Sequence, residues 1–230
     1  MKKKIRPVLT QETFLNYALL AYVVLIVASN VMASKVISVF GFPIDAGTLT
    51  YPFTFLIGDV VAELFGYKQS RRVILIGFAA NCAFSCMTLM GTLPQAYGAA
   101  DALANAYDVL FSYNIRILAA SFIAYLAGAL LNAASLIWIR KLTGRKWLAL
   151  RTIGSTAIGA FADTAVFTVT AWVFVLSAQD ILIMAAISYA VKMIFEIVIA
   201  TPADYFIVPL IRKHMSDGTR PITRGENRSS

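Results

Sequence analysis

FLNYALLAYVVLIVASNVMA, residues Phe14–Ala33, runs for 20 residues without a charged side chain. A helix rises about 1.5 Å per residue, so this stretch reaches about 30 Å, the thickness of a bilayer's hydrocarbon core. Lys2, Lys3, Lys4 and Arg6 precede it, which gives the start of the chain the outline of a secretory leader. A leader has a shorter apolar run and a small-residue cleavage pattern, so the segment reads as a retained first span. Five further apolar stretches follow, at Leu49–Phe65, Val73–Leu93, Ser112–Ile139, Thr152–Leu176 and Ile181–Ile211. The expectation is an all-α, polytopic membrane protein with six transmembrane helices. Residues 1–212 would form one domain with a short N-terminal arm, and residues 213–230 a basic cytoplasmic tail.

Composition agrees with the membrane class. The 230 residues are 59% hydrophobic and 14% charged, against about 25% charge in soluble domains. A net charge of +8 would ordinarily raise nucleic-acid binding, but topology accounts for it. Basic residues gather in the N-terminal arm, at Lys68, Arg71 and Arg72, at Arg140, Lys141, Arg145, Lys146 and Arg151, and at Arg212, Lys213, Arg220, Arg224 and Arg228, which makes 17 of the 20. Those regions alternate along the chain, and the positive-inside tendency assigns them, with both termini, to the cytoplasm. The opposite connections hold Asp45, Asp101, Asp108 and Asp180. The connection around Gly41, Pro43 and Gly47, and the one from Pro94 to Phe111, read as plain outer loops. Cys82 and Cys86 share one helix face and read as packing, with no metal site expected.

The functional signal lies in the charges left inside apolar stretches: Asp59, Glu63, Asp163, Lys192 and Glu196, with Lys35, Arg116 and Asp204 nearer the ends. Ionic groups are costly in hydrocarbon and should turn toward one another or a wet cavity. Asp59 and Asp163 lie about 15 and 18 Å into their stretches by helical rise, and Lys192 is near the middle of its own. A common chamber is expected, with Lys192 neutralising one carboxylate. Glu63 and Glu196 follow Asp59 and Lys192 by four residues, so each pair shares a face. Asn30, Asn81, Asn114 and Asn132 could supply mixed donors and acceptors, while Tyr51, Phe53, Phe55, Phe161, Phe167, Tyr189 and Phe195 could cover a planar heterocycle. Gly128, Gly154, Ser155, Gly159 and Ala160 suit close helix packing, and the Gly58–Asp59 and Gly159/Asp163 pairs hint at an inverted repeat.

Several runs carry a family resemblance: SNVMASK at Ser29–Lys35, PIDAG at Pro43–Gly47 and YPFTFLIGDVVAELFGY at Tyr51–Tyr67. RTIGSTAIGAFADTAVF at Arg151–Phe167, YAVKMIFE at Tyr189–Glu196 and PADY at Pro202–Tyr205 complete the set. Together they resemble the queuosine precursor transporter family from about Phe14 to Arg212, although Ala160 stands where many relatives are expected to carry glutamine. The resemblance implies a secondary transporter in the bacterial inner membrane that imports 7-cyano-7-deazaguanine or a close 7-deazaguanine. It draws attention to Asn30, Lys35, Asp59, Glu63, Arg71, Arg116, Asp163, Lys192 and Glu196. The implied partners are the small base and the lipid bilayer, with no cofactor, metal or nucleic acid; the sequence carries no signal for oligomeric state. Asp59 or Asp163 would accept the base's N–H groups, Asn30 or Asn81 would meet its carbonyl or ring nitrogen, and Phe161, Phe167 or Tyr189 would cover its face. An alternative is the substrate-binding membrane component of a separate ATP-driven system, since the chain has no phosphate-loop signature. An intramembrane enzyme built on Asp59 and Asp163 is a third reading, and transport is preferred to it.

Overall fold

A computed structural model describes residues 10–98, 101–143 and 148–214. The basic arm before Thr10, the loop pair Arg145 and Lys146, and the tail after His214 lie outside the described residues. Among the described residues seven α-helices follow one another: α1 (Gln11–Ala33), α2 (Pro52–Phe65), α3 (Tyr67–Met90), α4 (Asp101–Thr143), α5 (Leu148–Trp172), α6 (Ala178–Phe195) and α7 (Thr201–His214). Between α1 and α2 the chain forms a hairpin, β1 (Val36–Val39) and β2 (Phe42–Asp45), and then a 3-10 turn, Ala46–Leu49. The strands pair antiparallel, with Val36 opposite Asp45 and Val39 opposite Phe42. The tight bend at their tip needs positive φ at Phe40 (51°) and Gly41 (85°). This connection is therefore a folded element, not a plain loop, and it adds a small sheet to an otherwise helical chain.

The expectation of six spans is corrected by the helices themselves. Among the described residues four helices are long and apolar enough to cross a membrane: Gln11–Ala33, Tyr67–Met90, Asp101–Asn132 and Ala178–Ala200. The second apolar stretch fails because its helix has only 14 residues, about 21 Å at helical rise. Pro52 opens α2 and Gly66, at φ 84°, closes it. The fifth stretch forms the 25-residue α5, which is not among the four found in the described residues. The last stretch is continuous as far as Ala200, where a π-helical turn, Glu196–Ala200, hands over to α7. A run of apolar letters does not reveal where the helix within it begins and ends.

Four apolar helices of this length make the chain a multi-pass membrane protein. Only 22% of the most apolar window of α1 is buried within the protein, and 33% of that of α4. The outward faces carry Leu20, Val24, Leu126, Leu130, Leu182 and Ile194, side chains suited to lipid. Inside are two apolar clusters. One gathers Tyr22, Ile26, Val61, Val73 and Phe78, where α1, α2 and α3 meet. The other gathers Ile117, Ala120, Ala171, Trp172, Ile181 and Met184 from α4, α5 and α6. The broadest helix contact is α4 against α5. Gly128 and Gly159 make it possible: a Cβ on Gly128 would lie 2.8 Å from the Asp163 Cβ, and one on Gly159 would lie 2.7 Å from the Asn132 Cβ. Small residues let the two backbones approach, and that approach sets how deeply Asp163 sits. The second outer connection differs too, since residues from Asp101 onward already belong to α4.

Candidate functional site

A cavity of about 30 Å³ lies between the helices; most of its lining residues are polar, although most of the surface they present to it is apolar. Each wall follows from a helical spacing or a turn. Asp163 and Phe167 stand four apart on α5, as do Ser188 and Lys192 on α6, so each pair faces inward together. Ser29 and Asn30 come from the end of α1, and Ser121 from α4. The 3-10 turn and its flanks bring in Asp45, Gly47, Thr48 and Tyr51. Gly47 allows this docking, because a Cβ there would collide with the Ser29 carbonyl oxygen.

At the centre the Lys192 ammonium donates to Asp163 Oδ2 at 2.7 Å and to Thr164 Oγ1 at 3.0 Å. It also lies 5.2 Å from the centre of the Tyr51 ring, close enough for a cation–π attraction. Lys192 and Asp163 are each 8% exposed. Such a pair is held by geometry: separation would leave two charges in a poorly solvated interior.

Asp45 forms the second charged wall. It is 4% exposed, and both its oxygens are occupied: the Thr48 amide donates to Oδ1 at 3.0 Å and the Thr48 hydroxyl to Oδ2 at 2.8 Å. Thr48 Oγ1 also lies 3.3 Å from Ser188 Oγ, which links the turn to α6. Burial pushes the Asp45 carboxyl above its usual range, opposed by the Thr48 hydroxyl, the Lys192 charge and the Thr48 amide.

The third wall is neutral. Ser121 donates to Asn30 Oδ1 at 2.6 Å, which turns the Asn30 amide. Behind it, Asn114 Nδ2 donates to the Asn30 carbonyl at 3.2 Å, and Ser85 donates to Asn114 Oδ1 at 3.0 Å. Asn30 Nδ2 itself is buried with no hydrogen-bond partner among the described residues.

The residues singled out from the sequence divide into two groups. Asn30, Asp163, Phe167 and Lys192 line the cavity. Asp59 and Glu63 lie on the exposed face of α2, apart from it, so Asp59 does not share a chamber with Asp163. Arg116 donates to the carbonyls of Thr170 and Val173, which caps the end of α5. Asn81 is fully buried in α3 with neither amide atom paired among the described residues, and it does not line the cavity. Phe161 is 61% exposed and packs edge-on against Tyr189, whose hydroxyl donates to the Ala157 carbonyl. Glu196 begins the π-helical turn.

Sequence reasoning missed Asp45, Ser29, Thr48, Ser121, Thr164 and Ser188. The sequence alone assigns Asp45 to an outer connection. A sequence-visible signal for Ser188 was its spacing of four from Lys192; the other hydroxyls have no sequence mark that separates them from ordinary packing.

Comparison with known proteins places this geometry in context. The family described as "Putative vitamin uptake transporter" matches residues 45–207, which span the walls from Asp45 to Lys192. The queuosine precursor transporter of Escherichia coli (strain K12) is 27% identical over 208 residues, covering 86% of this chain and 88% of that protein. The probable queuosine precursor transporter of Bacillus subtilis (strain 168) is 25% identical over 167 residues, covering 72% of each chain. The corresponding Haemophilus influenzae protein is 28% identical over 181 residues, covering 76% of this chain and 73% of its own. No solved structure matches. The chain belongs to the vitamin uptake transporter family.

Proposed function

We propose that this chain is a secondary transporter that imports 7-cyano-7-deazaguanine, or a close 7-deazaguanine, across the bacterial inner membrane. Relatives aligned over most of its length are named as queuosine precursor transporters, one outright and two as probable ones. The observation that carries the site is the buried Asp163–Lys192 pair in a polar cavity between membrane helices. A 7-deazaguanine is planar, with a carbonyl and ring nitrogens on one edge and N–H donors beside them. Asp163 supplies an acceptor for those N–H groups, and Asn30 Nδ2 a donor for the carbonyl. Tyr51 and Phe167 cover the ring faces. Lys192 holds the Asp163 carboxylate without the base and yields part of that contact as the base arrives. Asp59, which lies outside the cavity, has no base contact in this scheme.

The test is uptake of labelled 7-cyano-7-deazaguanine by proteoliposomes that contain only the purified protein. Saturable entry, competed by unlabelled base and reduced at least tenfold by Asp163→Asn, is expected. Entry only when an ATP-driven partner is added would replace the autonomous carrier with the substrate-binding component of a larger machine.

A further inference from the structure

We propose that Asp45 is the site at which the cavity takes up a proton with the base and releases it on the other side, so that import is driven by a proton gradient. The inference rests on the import reading above. Its basis is a charge imbalance in one cavity. Two carboxylates, Asp45 and Asp163, and one ammonium, Lys192, line the cavity. Lys192 is committed to Asp163 at 2.7 Å and to Thr164. That is the one ion pair among the cavity's described residues, and it leaves the buried Asp45 with hydrogen bonds from Thr48 alone.

The groups facing Asp45 can be taken element by element. From α6 come Lys192 and the Ser188 hydroxyl; from α5, Asp163; from the flank of α2, the Tyr51 phenol. Beside β1 is Lys35, whose carbonyl accepts the Ala46 amide but whose residue is exposed. With all groups in their ordinary states the cavity carries one excess negative charge. A neutral base does nothing to cancel it, and an ionised carboxylate shut away from water is expensive. Protonation removes that cost when the cavity closes; hydration after opening restores the anion and frees the proton. Burial already shifts Asp45 toward its neutral form. The balance is simple: an O–H bond forms on Asp45 with a proton from the loading side and breaks toward the other side, with no redox change.

Asp45 also has a route to the rest of the machinery. Thr48 bonds Asp45 and lies 3.3 Å from Ser188, one turn before Lys192 on α6. A change in the charge of Asp45 thus bears on the helix that holds the Lys192–Asp163 pair.

The experiment uses full-length protein in proteoliposomes with the membrane potential clamped at zero and labelled 7-cyano-7-deazaguanine outside. One proton per neutral base predicts about tenfold accumulation for each unit of inward pH gradient, since one unit of pH corresponds to a tenfold proton ratio. In Asp45→Asn the ratio of uptake with and without the gradient should fall to about one, whatever its absolute rate, and Asp45→Glu should restore part of the response. A wild type that equilibrates the base but ignores the gradient would overturn the proposal, as would an Asp45→Asn protein that still responds. Should the variant fail to fold, a pH-sensitive dye inside wild-type vesicles gives the answer, because base entry without internal acidification would also overturn it. Wild-type vesicles that admit no base at all would overturn the import reading, and this one with it.

Discussion

Removing Lys192 should harm the fold more than removing the charge of Asp163, although the two form one pair. Lys192→Met leaves Asp163 and Asp45 together in one cavity with no cation lining it. Stranding a buried charge by deleting its partner costs about 3–5 kcal/mol. Asp163→Asn instead leaves Lys192 in place, bonded to Thr164, over the Tyr51 ring and across the cavity from Asp45. That cavity is balanced, one positive charge against one negative, so the loss is nearer the ~1–3 kcal/mol of a weakened charged hydrogen bond. The expected gap between the variants is about 2 kcal/mol, or roughly a thirtyfold difference in the folded-to-unfolded ratio. The double variant, with only Asp45 charged, should fall between wild type and Lys192→Met. Equilibrium unfolding in mixed micelles, followed by helical circular dichroism, measures all three. Equal losses, or a more stable Lys192→Met protein, would refute the claim that Asp45 and Asp163 share one neutralising charge.

Other outcomes follow from particular contacts. Gly128→Val should lower stability by about 1–3 kcal/mol by overpacking and displace Asp163, whose Cβ would lie 2.8 Å from the first added carbon; wild-type stability and uptake in that variant would count against the packing account. Ser121→Ala should free the Asn30 amide to rotate and raise the KM for the base more than it lowers the maximal rate, as uptake kinetics would show. Arg116→Ala should cost about 1.5–3 kcal/mol through lost charged hydrogen bonds at the end of α5 while leaving KM near wild type, which separates a cap from a binding residue. For Asp45 the sign of pH dependence is fixed by the upward shift of its carboxyl. The folded state holds that proton more tightly, so its contribution to stability is full below the unfolded value of about 4 and declines as pH rises through the folded one. Unfolding at pH 5 and pH 8 should therefore show Asp45→Asn gaining on wild type at the higher pH; a constant difference would contradict the burial argument.

How much of this was legible in the sequence depends on what each signal encodes. Charges embedded in apolar stretches marked Asp163 and Lys192 without any structure, because hydrocarbon leaves such residues few alternatives. The same rule placed Asp59 in the chamber, but depth along a helix says nothing about which face a residue occupies. Asp59 occupies the exposed face of α2. Asp45 escaped for the opposite reason. Its surroundings of Pro43, Gly41 and Gly47 read as a loop, and only the docking of Gly47 on the Ser29 carbonyl brings the turn into the bundle. Helix limits were hidden for a related reason: Pro52 and Gly66 confine α2 to 14 residues within a longer apolar run.

The central claim is that the base occupies the cavity between Lys192, Asp163 and Asn30. Ser188, on its wall, can be replaced by cysteine after Cys82 and Cys86, both exposed, are changed to serine. The rate at which a small maleimide labels Ser188→Cys is then measured with and without 7-cyano-7-deazaguanine. Saturable protection, absent for a cysteine introduced at the lipid-facing Leu182, is the predicted result; an unchanged labelling rate in protein that still transports the base would place the passage elsewhere.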